Sequence, residues 1–139
     1  MKYLTLKDLN SRLKESIVSQ TTEGDFSILN DCENVALSMI EGSIGGKYNT
    51  EIEFIKIDEG RSPLIVSIAL DIVVYELYSR ISREEMQALR KERYDNALKQ
   101  LSEIHKGNIS LKLLKRDEED SVSSNTYFGS RAKINNYDY

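Results

Sequence analysis

One cysteine, one histidine and no excess of basic residues leave this chain short of the material for several kinds of chemistry. Cys32 has no second cysteine to pair with, so an internal disulfide is excluded. It falls on an apolar helical stripe and reads as a small buried hydrophobe in a protein folded under reducing conditions. His105 is the only imidazole, in the last turn of a predicted helix, where it suits the carbonyl ends. One cysteine and one histidine in unrelated contexts make no nucleophile–base pair. They also make no zinc site, which needs a full set of such ligands. The net charge of −4 argues against a dedicated nucleic-acid binder. The N-terminus MKYLTLKDL is charged throughout and lacks the apolar core of a secretion signal. The longest apolar stretch is interrupted by Asp71 and Glu76, short of the ~20 residues that a bilayer needs. The expectation is a soluble, intracellularly made protein.

That apolar stretch is the most informative part of what remains. Residues 62–80, SPLIVSIALDIVVYELYSR, put Leu64, Ile65, Ile68, Ala69, Ile72 and Val73 on one side of a helix. Val66, Leu70, Val74, Leu77 and Tyr78 occupy much of the rest. A helix apolar on most of its circumference is buried on most of it. Its cover comes either from the few other helices of a 139-residue chain or from a second copy.

The other helices follow from caps and stripes. Thr5 with Asp8 predicts a capped first helix over residues 6–15, with Leu6, Leu9 and Leu13 inward. Residues 19–25, SQTTEGD, read as a polar loop. Ile28, Cys32, Val35, Ala36, Met39, Ile40 and Ile44 form the next stripe, stopped by Gly45-Gly46. Residues 47–61 mix a period-two isoleucine run with charge and read as an extended loop with some β character, able to pair with 109–114. Ser62-Pro63 is a strong helix start, and that helix is expected to end near Ile81. Ser82 with Glu85 predicts a capping box for a last helix reaching Lys106, with Met86, Leu89, Tyr94, Ala97, Leu101 and Ile104 inward and Gly107 as its stop. The fold class is all-α: a compact bundle of about four helices around a long buried one, spanning residues 1–116. Residues 117–139 are charged, then serine-rich, and read as a flexible C-terminal arm.

No set of residues points to catalysis, a metal or a cofactor. The acidic run 117–120 lacks the spacing and the glycine of a calcium loop. Asp71, inside the greasy helix, either pairs with Arg80 or Arg93 or lies on a narrow exposed strip. The candidate sites are contacts with partners: Phe54 and Ile55 in the 47–61 segment, and Tyr127, Phe128, Tyr137 and Tyr139 in the arm, aromatic residues able to order on a partner. A basic patch of Arg80, Arg83, Arg90, Lys91 and Arg93 supports an alternative, a small helical nucleic-acid-binding or regulatory protein.

Three motifs in order carry a resemblance. They are Y-x-T-x-x-D-L (Tyr3, Thr5, Asp8, Leu9), D-I-x-x-Y-x-L-Y-x-R (Asp71 to Arg80), and R-Y-x-x-A-L-x-x-L-x-x-I-x-x-G (Arg93 to Gly107). Gly46 and Tyr48 fit between them. In this the chain resembles the Mu-like prophage head–tail connector family over nearly its whole length; it departs from the family at residues 50–61, where TEIEFIKIDEGR replaces a short loop. The resemblance implies a ring-forming adaptor of the virion, assembled in the bacterial cytoplasm. Its partners would be copies of itself, the portal protein and tail or head-completion proteins. Genomic DNA would pass without specific binding.

Overall fold

The computed structural model describes residues 1–81 and 87–116. Within them the chain folds as α1 (Leu6–Asn10), α2 (Glu15–Thr22), α3 (Ser27–Ile44), α4 (Thr50–Phe54), a 3-10 turn (Asp58–Gly60), α5 (Pro63–Ser79) and α6 (Ala88–Lys106). The fold is all-α. Among the described residues the only β pairing is one isolated antiparallel bridge between Tyr48 and Lys115. The Ser82–Glu85 capping box and Met86 lie outside the described residues, as does the predicted arm with Tyr127, Phe128, Tyr137 and Tyr139.

α5 is the axis of the molecule. Ser62 is extended and Pro63 takes the first helical position, where its missing N–H costs no hydrogen bond. Ile65, Ile68, Ala69, Leu70, Ile72, Val73, Val74 and Leu77 are all buried, and after Pro63 no residue of the helix is exposed. α3 and α6 pack along it, and α1 and α2 close its remaining sides. The chain therefore covers its own central helix. The all-round apolarity of 62–80 requires no second copy, and any self-association must use other surface.

The flanking helices lie on α5 through three- and four-residue stripes. α3 contributes Leu29, Cys32, Ala36, Ile40 and Ile44, while Val35, assigned to this stripe by periodicity, is 42% exposed. α6 contributes Ala97, Leu101 and Ile104. Gly107 ends α6 in the left-handed region at φ 86°, a conformation that glycine adopts without a Cβ clash. Across the α5–α6 seam the rings of Tyr75 and Tyr94 stack at 3.9 Å.

Several expectations are corrected. The first helix stops at Asn10, and Leu6 points outward, 51% exposed, while Leu9 and Leu13 are buried. The supposed polar loop 19–25 is largely helix α2, with Thr21 and Thr22 buried. Their hydroxyls donate to the Val18 carbonyl at 3.0 and 2.9 Å, so these side chains enter the interior already satisfied. Residues 47–61 are not extended. Asn49 caps α4 by accepting the Ile52 N–H at 3.3 Å, and the 3-10 turn follows. Residues 109–114 form no strand, yet they do run beside Tyr48. The Leu111 N–H donates to the Tyr48 hydroxyl at 3.2 Å, and the Asn49 N–H donates to the Leu114 carbonyl at 2.8 Å.

Candidate partner interface

Two buried carboxylates hold the N-terminal segment in place. Glu33 lies on the inward stripe of α3 and accepts the backbone N–H groups of Lys2 at 2.5 Å, Tyr3 at 3.0 Å and Leu4 at 2.6 Å. A carboxylate removed from water needs such donors. Glu53, in α4, accepts the Tyr3 hydroxyl at 2.7 Å, the Lys56 ammonium at 2.8 Å and the Ser62 N–H. Burial, then the Glu53 carboxylate, push the Tyr3 hydroxyl far above the usual phenol range. Arg61 completes the clamp, donating to the Tyr3 carbonyl at 2.8 Å and to Asp8 at 2.7 and 3.3 Å. Hydrogen bonds thereby tie residues 1–8 to α3, α4 and the start of α5.

Asp8 gives this clamp a pH dependence. Burial pushes its carboxyl up, but the Arg61 guanidinium and the Thr5 N–H and hydroxyl outweigh burial and leave it below the usual value. An ordinary aspartate titrates near ~3.9. The stabilisation is therefore complete above that pH and lost as pH falls through the lower folded value. The melting temperature should drop on going from pH 5 to pH 3. Asp8→Asn should melt lower than wild type at pH 6 and show a shallower acid drop. An acid drop as steep as that of wild type would exclude Asp8 as its source.

On the clamp sits an exposed apolar ridge. Phe54 turns inward, its ring edge-on to Tyr3 at 5.5 Å. Ile55 and Ile57 turn outward, 79% and 73% exposed, with Ile52 beside them. Glu51, Asp58 and Glu59 are also exposed, and Asp58 holds a left-handed φ of 48° in the turn that follows. Of the two interface residues expected here, Ile55 is on the surface and Phe54 is partly buried against the core.

A second feature lies where the turn after α1, the middle of α5 and the start of α6 meet. Arg12, Asp71, Val74, Gln87, Leu89, Arg90 and Arg93 line a cavity of about 70 Å³. Asp71 pairs with neither Arg80 nor Arg93. Its partner is Arg12, Nε to Oδ1 at 3.1 Å, and Arg12 also donates to the Ser67 hydroxyl at 2.9 Å. The Arg90 guanidinium lies 3.7 Å from the centre of the Tyr78 ring. Of the expected basic patch, Arg90 and Arg93 enter this cavity, Arg80 and Lys91 are exposed elsewhere, and Arg83 lies outside the described residues.

Cys32 is buried, and burial, with Glu76 nearby, pushes its thiol up to about 11, which keeps it protonated. His105 sits in the last turn of α6 with Nδ1 3.0 Å from the Ser43 carbonyl oxygen. Among the described residues no cluster of acidic, histidine and cysteine side chains could hold a metal ion. No described helix is long and apolar enough to cross a membrane. Glu33 and Glu53 were missed by sequence reasoning. For Glu33 a signal existed, since it continues the buried spacing of Leu29, Ala36 and Ile40.

A family model described as Bacteriophage Mu, Gp36 matches residues 3–129 of the chain. The match takes in the clamp from Tyr3 onward, the ridge, the arginine cavity and all six described helices, and the chain belongs to that family. No curated protein and no solved structure matches it.

Proposed function

We propose that this member of the bacteriophage Mu Gp36 family is a structural head–tail connector subunit. Copies of it form a ring between portal and tail in the virion, and the ring contacts the portal protein and tail or head-completion proteins. It performs no catalytic step. Genomic DNA passes through it without specific binding, which suits a net charge of −4, because an electronegative wall does not retain phosphates. Family membership and the order of the three sequence motifs support this reading.

The observation that carries it is the isoleucine ridge. Exposed isoleucines beside acidic side chains, mounted on a clamp of buried carboxylates, have the makings of a protein contact: an apolar centre with a polar rim. Ile55 is already in solvent, so Ile55→Asp should fold and melt like wild type. In a particle-assembly complementation assay the variant should lower the yield of joined heads and tails by about tenfold or more, as expected for a central interface anchor. Normal particle yield from Ile55→Asp would remove the ridge as the contact surface.

A further inference from the structure

We propose that the arginine cavity is the receptor for the acidic run of a neighbouring copy, residues 117–120, Asp-Glu-Glu-Asp. This rests on the reading of the chain as a self-assembling subunit and names the contact that would join one copy to the next. The cavity brings together three guanidinium groups and one carboxylate, and that carboxylate is engaged by Arg12. Arg90 Nε is buried without a hydrogen-bond partner among the described residues. A buried N–H of this kind calls for an acceptor, and a carboxylate meets guanidinium groups through charge-assisted bonds. The volume of about 70 Å³ has room for one such head group. Leu89, 54% exposed, offers apolar surface at its rim.

The sequence holds one run of four consecutive acidic residues, and it begins directly after Arg116. The Arg116 N–H donates to the Lys47 carbonyl at 3.0 Å, and Lys47 Nζ lies beside Gly107, 3.2 Å from where a Cβ there would stand. Arg116 therefore lies at the C-terminal end of α6, whereas Leu89, Arg90 and Arg93 occupy its N-terminal turns. A 19-residue helix is ~28 Å long, and four residues past Arg116 extend ~14 Å at most. The run is better placed to reach the cavity of a neighbour than its own. A contact between two different surfaces, tail of one copy to cavity of the next, is head-to-tail, and such contacts build rings when they close.

The test uses a fluorescent peptide of residues 116–130 and a full-length receptor in which Asp117→Asn, Glu118→Gln, Glu119→Gln and Asp120→Asn remove the competing run. Anisotropy should show saturable binding that weakens as salt rises. Adding Arg93→Gln, or Arg90→Gln with Arg93→Gln, should weaken it about tenfold or more without lowering the melting temperature. Arg93 is exposed, so its single variant remains informative if the double variant unfolds. Absence of binding, or binding indifferent to these arginines, overturns the proposal, as does duplex DNA occupying the arginines in preference to the peptide. Mass photometry separates the two readings. A chain lacking the acidic run mixed with one lacking the arginines should stop at dimers, because one good contact remains per pair. Rings formed equally well by both variants would overturn this contact and leave the connector reading standing. Peptide binding by a chain that never forms rings would do the reverse.

Discussion

Replacing Ile72 with alanine is expected to lower the free energy of unfolding by about 2–5 kcal/mol, the range for emptying a buried aliphatic site. Ile72 is fully buried near the middle of α5, with α3 and α6 packed along that helix. The loss combines two effects: transfer of the removed carbons, and a cavity that rigid neighbours cannot close. Ile68, one turn earlier and equally buried, should behave in the same way. Urea denaturation followed by circular dichroism measures both, and the slope should stay near that of wild type while the midpoint falls. Midpoints unchanged for both variants would mean that α5 is not the core. Small domains have total stabilities of only ~5–15 kcal/mol, so either variant should also reduce the folded protein available for assembly.

Glu33→Ala should have an effect of similar size by a different route. Its carboxylate satisfies three backbone donors at residues 2–4, and Tyr3 and Leu4 are themselves buried. A donor left buried without an acceptor costs ~1–3 kcal/mol. Three together would exceed what docking of the segment returns, so the segment should detach and hydrate instead. The expected destabilisation is about 2–4 kcal/mol. Hydrogen exchange should show faster exchange at the amides of residues 2–4. Glu33→Gln keeps the shape and one acceptor oxygen, so it should fall between wild type and alanine. Equal stability of all three proteins, with unchanged exchange at residues 2–4, would show that Glu33 does not hold the segment.

The two effects differ in how far the sequence announced them. α5 was legible because its apolar residues leave no polar face and because Ser62-Pro63 marks its start in a standard way; Gly107 likewise marked the end of α6. α2 was hidden, since Thr21 and Thr22 look like loop residues until their hydroxyls bond back to Val18. α4 was hidden by the period-two spacing within Ile52, Phe54, Ile55 and Ile57, which mimics a strand. Asn49 and the contact of Phe54 with Tyr3 decide for helix there. The partner of Asp71 could not be read from nearby sequence, because Arg12 comes from 59 residues away. The clamp depends on pairings of the same kind, Tyr3 with Glu53 and Asp8 with Arg61. In the 47–61 segment the sequence did not separate outward from inward side chains: of the expected pair Ile55 faces solvent, while Phe54 packs against Tyr3.

The central claim is that the chain is a structural subunit between head and tail. The most direct measurement is cryo-electron microscopy of particle necks, with the chain located by an epitope tag and a bound antibody fragment. The account predicts a ring of copies between portal and tail, with α4 and the 3-10 turn of each copy against a neighbouring protein. Mature particles that lack the chain, or that carry it anywhere other than the neck, would contradict it.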